Sequence, residues 1–413
     1  MRPLITFWNG AAATPVRRFW LVVLLGVLTA GGPLANDTYI PAMPNVAAGL
    51  GAEVGLTQLT ITVFQIGLGG GQLIWGPISD RIGRRTPLML GLGLFVVAAI
   101  IAGFAPNIWV LLAGRLLLGF AASSAVVLGR SVARDLYPDH ELPRIYGHLA
   151  VVFGLTTMVG PLVGTAMLQL GDWRLTFFAV ATMGTIVLAV SALGLRESLP
   201  EGLRIHGRSA ERRAAWIAPL RNGAFLVNTL VLVGSATSLT AYLTFIAFVL
   251  KVERGVDDGG FALLYLLNCV GVALGGFAAP IFERRLGGRR VLPVLLVVNL
   301  AAAAGVLTSS ALDLPLWAFM VSVWVTVFIA STAVPLAIAL ALEPFTKGAG
   351  TAAAIAGAAQ LAVSASIAGI VAVVFGADGV VLGLLQVIAT VVTLGLLGVA
   401  VVLRRRGGRR ATA

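Results

Sequence analysis

The feature that most constrains this chain is a series of twelve long apolar runs. They lie at roughly 19–44, 56–78, 87–106, 109–130, 145–168, 175–195, 223–249, 260–282, 291–311, 315–341, 349–374 and 379–403. A bilayer core of ~30 Å takes about 20 apolar residues as helix. Backbone groups left unpaired in lipid are so costly that runs of this length must be helical. The sequence therefore predicts an all-α membrane protein. Composition agrees: 58% of the 413 residues are hydrophobic before the 50 glycines are counted, and 11% are charged, where ~25% is usual in soluble proteins. A water-soluble chain of this size could not cover its surface with so few charges. A soluble enzyme, a nucleic-acid binder and a disordered protein are excluded on that ground. The one cysteine, Cys269, excludes an intrachain disulfide.

The net charge of +12 takes its meaning from where it sits. With the N-terminus in the cytoplasm, the basic residues fall on the cytoplasmic side of the spans, with four exceptions. Arg174, Lys251 and Arg254 lie in outer loops, and Arg115 lies inside the fourth run. That asymmetry is the positive-inside rule, and it requires an even number of spans with both termini inside. It accounts for the charge without nucleic acid. The first run is longer than the ~7–15 residues of a secretory h-region, so it reads as a span rather than a cleaved signal. Lysine occurs only at Lys251 and Lys347, the other basic residues being arginine. This points to a GC-rich bacterial genome, and the expected location is a bacterial cytoplasmic membrane.

The runs divide into an N-terminal bundle over 1–195, a polar connector over 196–222 and a C-terminal bundle over 223–403, followed by a basic tail over 404–413. The connector carries Arg196, Glu197, Glu201, Arg204, Arg208, Glu211, Arg212 and Arg213. The halves echo each other. Gly76-Pro77-Ile78-Ser79-Asp80-Arg81-Ile82-Gly83-Arg84-Arg85 follows the second span, and Pro280-Ile281-Phe282-Glu283-Arg284-Arg285-Leu286-Gly287-Gly288-Arg289-Arg290 follows the eighth. Parallel repeats of this kind suggest a transporter that rocks one half against the other.

At these residues a family becomes recognisable. Gly76 to Arg85 resembles motif A of the major facilitator superfamily, and Arg115-Leu116-Leu117-Leu118-Gly119 resembles motif B. Gly147, Gly160, Pro161 and Gly164 are similar to motif C of drug/proton antiporters; Thr156 and Thr165 stand where that motif usually has glycine. Asn36-Asp37-Thr38-Tyr39-Ile40-Pro41-Ala42-Met43-Pro44 resembles the first-span signature of the bicyclomycin/chloramphenicol resistance (Bcr/CflA) subfamily. So do Arg130-Ser131-Val132-Ala133-Arg134-Asp135-Leu136-Tyr137 and Ala341-Leu342-Glu343-Pro344-Phe345. The resemblance implies a major facilitator fold of twelve transmembrane helices in two pseudo-symmetric six-helix bundles. It also implies proton-coupled drug efflux.

Asp37 is the carboxylate placed well inside a span, ~28 Å along a helix from Arg18 at 1.5 Å per residue. An ionised acid in hydrocarbon must face water or a partner. Burial disfavours its charge and a nearby cation favours it. Balanced between the two, Asp37 could exchange a proton as a cavity opens to each side, or it could merely cap a kink made by Pro33 and Pro41. Arg115 keeps its charge. The resemblance implies that it sits by the cavity and influences protonation of an acid; a direct bond to Asp37 is a further expectation, and a snorkelling or helix-anchoring arginine is the alternative. Tyr39 and Ile40, beside Asp37, are candidate substrate contacts.

In motif A, Gly76 allows close helix approach. Asp80 could face the N-terminus of the eleventh helix near Gly348-Ala349-Gly350, with Gly83 at the turn and Arg81 and Arg84 latching the halves. A tight turn with positive-inside arginines would leave the same trace. In motif C, Gly160, Pro161 and Gly164 allow tight packing and a bend, as generic small-residue packing also would. Polar residues in the spans are either cavity contacts or interhelical hydrogen bonders. They are Gln65, Gln72, Asn228, Tyr242, Tyr265, Asn268, Asn299 and Gln360, with Gln65, Tyr242, Asn268 and Gln360 taken as substrate-binding candidates.

The sequence contains no Gly-x-x-x-x-Gly-Lys-Ser/Thr run and no His-Glu-x-x-His. His140, His148 and His206 make no metal pattern. The expectation is a proton gradient as energy source, no cofactor, no metal and no catalytic residues. A small drug, protons and the bilayer are the expected partners, with no nucleic acid and a monomeric state. A proton-linked carrier for an amino acid, nucleobase or sugar is the alternative. A polytopic enzyme lacks converging catalytic residues, and a passive channel fits one acid and one arginine in a repeated bundle less well.

Overall fold

In a computed structural model of the chain, the described residues are 15–138, 140–204, 216–345 and 349–411. His206, Arg208, Glu211, Arg212, Arg213, Lys347 and Gly348 lie outside them, as does Arg2. Among the described residues the regular structure is helical. α1 (Pro15–Tyr39) passes through a 3-10 turn, Ile40–Ala42, into α2 (Met43–Leu50), and the three make one span. There follow α3 (Val54–Ile82), α4 (Arg85–Gly103), α5 (Ile108–Leu136), α6 (Leu142–Leu170) and α7 (Arg174–Gly194). A short 3-10 turn, Glu201–Leu203, lies in the connector. α8 (Gly223–Phe248) ends in a π-turn, Val249–Glu253, and is followed by α9 (Asp258–Leu286), α10 (Gly288–Ala311), α11 (Leu316–Leu342), α12 (Ala349–Phe375) and α13 (Gly379–Ala411).

Each helix matches its expected run, and most overshoot it at the polar ends, as where α5 continues through Arg130 and Arg134 to Leu136, whereas α4 stops at Gly103, short of the expected 106. Helix starts carry chemical signals. Asn107, Asn222 and Asp257 accept from Val110 N, Phe225 N and Gly260 N at 3.0, 3.0 and 3.2 Å, supplying acceptors that first-turn N–H groups lack. Among the described residues, eleven helical stretches are long and apolar enough to cross a membrane. α3, at 29 residues, is long enough but diluted by Gln58, Gln65, Gln72, several threonines and a run of glycines. α13 extends to Ala411, so helix continues through most of the expected tail.

The chain forms two compact units. One is Met1–Ala42 with Gly70–His206; the other is Met43–Gly69 with Gly207–Ala413. In the first, α1 packs on α6, where a Cβ at Gly26 would lie 2.6 Å from Val152 Cγ1, and the indole of Trp75 donates to Phe120 O at 2.9 Å. This unit holds a cavity of about 60 Å³ lined wholly by apolar residues, among them Leu28, Leu34, Leu92, Phe95 and Val180. Pockets that hold drug-sized ligands are larger, roughly 300–1,000 Å³, and present a few polar groups, so this cavity is a packing gap.

In the second unit the first half of α3 runs along α12 in a seam of small residues. Gly55, Thr62 and Gly69 meet Ala372, Ala365 and Ala358, seven residues forward on one helix and seven back on the other. A Cβ at Gly55 would lie 2.8 Å from Val373 Cα, and one at Gly69 would lie 3.0 Å from the Ala358 carbonyl. The Thr62 hydroxyl donates to Ala365 O at 3.1 Å, and Gln58 donates to Thr244 O on α8 at 3.2 Å. Small residues let helices approach in lipid, where hydrophobic attraction between them is absent. Gly69→Leu is expected to destabilise the detergent-solubilised protein by ~1–3 kcal/mol through overpacking. Gly70→Leu, where a Cβ meets nothing within 4 Å, is expected to melt like the parent. Equal melting temperatures for the two variants would refute the seam.

Candidate transport site

Asp37 lies on the last α-helical turn of α1. Pro41 has no N–H to donate to the Asp37 carbonyl four residues back, and the chain tightens into its 3-10 turn at that point. Around the acid, Asn36, Thr38, Tyr39 and Ile40 are buried, and Asp37 itself is 9% exposed. The Thr38 hydroxyl folds back onto Leu34 O at 2.8 Å.

Arg115 reaches this segment from α5 and is fully buried. Its Nη2 donates to Asn36 Oδ1 at 2.8 Å, and its guanidinium carbon lies 4.5 Å from the Tyr39 ring centroid. Asp37 and Tyr39 both act electrostatically on it. A buried cation needs such surroundings, since its desolvation costs several kcal/mol and a desolvated cation–π contact returns ~2. Tyr39 is backed by Phe177 of α7 at 5.3 Å, and Phe177 by Trp173 at 6.1 Å edge-on. The expected acid and arginine are therefore brought together, and Asn36 accepts a hydrogen bond from the arginine.

α6 closes the other side. A Cβ at Gly160 would lie 3.0 Å from Asp37 Cβ. One at Gly164 would fall within the Thr38 carbonyl oxygen and lie 3.3 Å from Pro41 Cγ. These two glycines admit the backbone of α1. Gly147 would meet nothing within 4 Å, so it takes no part. Of the two departures from motif C, Thr156 bonds its own helix at Val152 O, 2.7 Å away, and Thr165 is buried.

The turn between α3 and α4 is built around Arg84, 4% exposed. Its side chain donates to Asp80 Oδ1 at 2.5 Å, Ser79 Oγ at 2.7 Å and Asp135 Oδ2 at 2.9 Å. Burial acts to lower the Arg84 pKa, but Asp135 and Asp80 together outweigh it and raise the pKa above the usual arginine value, so the charge is permanent. Gly83 has φ +97, a backbone open to glycine. Arg81 is exposed, and Arg85 donates to Ala192 O at 2.9 Å. Gly76 differs from expectation: a Cβ there would meet only Val127 Cγ1, at 3.9 Å, so close approach does not depend on it. The tight contact of this helix with α5 is at Gly71, against Ser123 and Phe120 O.

The polar candidates of the second unit separate into two kinds. Asn228 donates to Leu340 O at 3.0 Å, and Asn299 to Thr390 Oγ1 at 2.8 Å and Ser238 Oγ at 3.2 Å; both tie helices together. Tyr242 and Tyr265 are buried with ring centroids 5.8 Å apart, and Phe261 continues the stack at 5.7 Å. One turn from Tyr265, Asn268 donates to Leu264 O at 2.9 Å and keeps a buried Oδ1 with no hydrogen-bond partner among the described residues. Gln65 is 8% exposed. Gln360 is half-buried, and its carbonyl accepts from Ser364.

With this geometry in place, comparison with known proteins is direct. The family model described as Major Facilitator Superfamily matches residues 23–369. The chain belongs to the Major Facilitator Superfamily. Among its relatives in the superfamily, it is 31% identical to an uncharacterized MFS-type transporter, YdgK, of Bacillus subtilis, over 83% of this chain and 86% of that protein. It is 30% identical to a chloramphenicol resistance protein of Pseudomonas aeruginosa (81% and 79%). It is 25% identical to a bicyclomycin resistance protein homolog of Haemophilus influenzae (86% and 89%). Its fold resembles that of a D-xylose-proton symporter, with a TM-score of 0.72 at 15% identity over 92% of this chain and 97% of that one. It also resembles the nucleoside transporter NupG, with a TM-score of 0.73 at 13% identity over 92% and 99%. The major facilitator fold and a transporter rather than enzymatic role follow.

Four residues of this superfamily member carry contacts that their sequence setting did not reveal. Asn36 was legible only as a neighbour of Asp37. Phe177 reads as one more apolar residue of its run. Asp135 and Glu197 read as ordinary charges at helix ends, yet both hold the α3–α4 turn.

Proposed function

We propose that the chain is a proton-coupled exporter of small, mostly hydrophobic drugs of the chloramphenicol or bicyclomycin kind. It works by alternating access in a bacterial cytoplasmic membrane, with both termini inside. The observation that carries this reading is one nearly buried carboxylate, Asp37, within electrostatic reach of a fully buried arginine and backed by Gly160. An ionised acid there is costly unless hydrated or paired, and protonation removes the cost. Arg115 remains charged throughout, so the proton is exchanged at Asp37.

In this scheme a proton from outside neutralises Asp37 and favours the return to the inward-facing state. Drug arriving from inside favours its release. The gradient supplies the energy, including ~2.3 kcal/mol per charge per 100 mV of membrane potential, and no cofactor is required. The resistance named in two relatives supports the cargo class. Protons, a small drug and lipid are the partners of a monomer. With the basic turn at Arg81 to Arg85 inside, the Gly55 end of α3 is outside, and the α3–α12 seam lies toward the outer face.

Everted vesicles test this. Drug added to energised vesicles should release protons, and an uncoupler should stop drug uptake. Asp37→Asn should abolish both responses and return drug susceptibility to that of cells lacking the protein. Drug uptake that ignores the uncoupler would remove the coupling. Unchanged susceptibility together with rescue of a nutrient auxotroph would assign a metabolite instead.

A further inference from the structure

Glu197, the second residue of the connector, binds the turn that follows α3. Its Oε1 accepts from Arg84 N at 2.7 Å and from Leu199 N at 2.9 Å, and its Oε2 accepts from Arg85 N at 3.2 Å. The carboxylate thus sits on the open N–H groups that begin α4, where a negative charge also meets the positive end of the helix. Gly83 fits this arrangement twice over. Its φ is +97, and a Cβ there would lie 2.7 Å from the Glu197 carboxyl carbon and 3.2 Å from Arg204 Nη2. The next connector residue continues the attachment: Ser198 donates to Asp135 Oδ2 at 3.2 Å, the oxygen that also accepts from Arg84.

We propose that Glu197 is a positioning residue for the gating turn. By capping α4 from the connector, it holds Arg84 where Asp80 and Asp135 can both receive it, so that the connector and the turn move as one piece. The charge pattern of Asp80, Arg81 and Arg84 is legible without Glu197. The backbone from which Arg84 projects is fixed by this carboxylate. The inference rests on the reading of the α3–α4 turn as a gate element, and it is independent of the cargo.

The test uses the full-length protein with Cys269→Ser and a reporter, Ser79→Cys, at a fully buried position behind the turn. Glu197→Ala is expected to speed maleimide labelling of the reporter about tenfold, the factor that loss of charge-assisted hydrogen bonds to two helix N–H groups implies. Without the reporter, it is expected to lower kcat for drug transport and leave KM unchanged. Glu197→Gln should fall between Glu197→Ala and the parent in both readouts, because one oxygen keeps the Arg84 and Leu199 bonds while the amide nitrogen faces Arg85 N. Labelling at the parental rate in Glu197→Ala overturns the proposal. So does a fall in melting temperature and transport with labelling unmoved, since that is a fold defect alone. Labelling is read without cargo, so a chain that exports no tested drug removes the transport reading and leaves this one standing.

Discussion

Arg115→Leu should abolish transport and lower the melting temperature of the solubilised protein more than any other single change at the site. The side chain is fully buried, donates to Asn36 Oδ1 and lies over the Tyr39 ring. Leucine leaves the Asn36 carbonyl and the Asp37 charge without their cation in a buried setting, a loss of ~3 kcal/mol or more. Arg115→Lys separates the roles of charge and shape. Lysine supplies the charge but no planar fork, so it can serve Asn36 or cover Tyr39 but not both. Its melting temperature should lie between those of Arg115→Leu and the parent, with transport still impaired. Parental stability and transport in Arg115→Leu would show that the cluster is incidental.

Gly164→Val should be nearly as damaging, through sterics alone. The new Cβ would fall within the Thr38 carbonyl oxygen, and a backbone atom cannot swing aside as a side-chain tip can. α1 would be pushed off α6 at the turn that carries Asp37, at a cost of roughly 1–3 kcal/mol for overpacking and with the geometry around the acid lost. Gly147→Val, on the same helix where a Cβ meets nothing within 4 Å, is the matched control. Drug resistance of cells and melting of the purified variants read both. Equal loss in the two would indicate a general intolerance of β-branched residues in α6.

The helices were legible because the bilayer imposes one length scale on every apolar run, so α4, α7 and α10 begin and end close to their runs. Overshoot at the polar ends was not, because a helix continues past the hydrocarbon into residues that composition assigns to loops. The nearness of Asp37 to Arg115 was legible since one acid and one arginine stood out against apolar surroundings. Which polar residues join helices was not. Asn228, Asn299 and Asn268 look alike in sequence, and only packing shows that the first two bond neighbouring helices while the third bonds Leu264 O of its own helix. The glycines of α3 illustrate the same limit. Motif spacing singled out Gly76, whereas the contact falls at Gly71, because the face a residue presents depends on which helix lies beside it.

The α3–α12 seam constrains how these two helices can move. Its small residues recur every seven positions on both sides, so there is one register in which they interlock. Leu361 already packs 3.4 Å from where a Gly69 Cβ would lie, and slippage by one turn, ~5.4 Å, in one direction carries it onto Thr62. Ratcheting in that direction is therefore opposed by a leucine side chain. Sideways separation sheds the interlocked contacts together, so release of this seam is expected to be cooperative rather than graded.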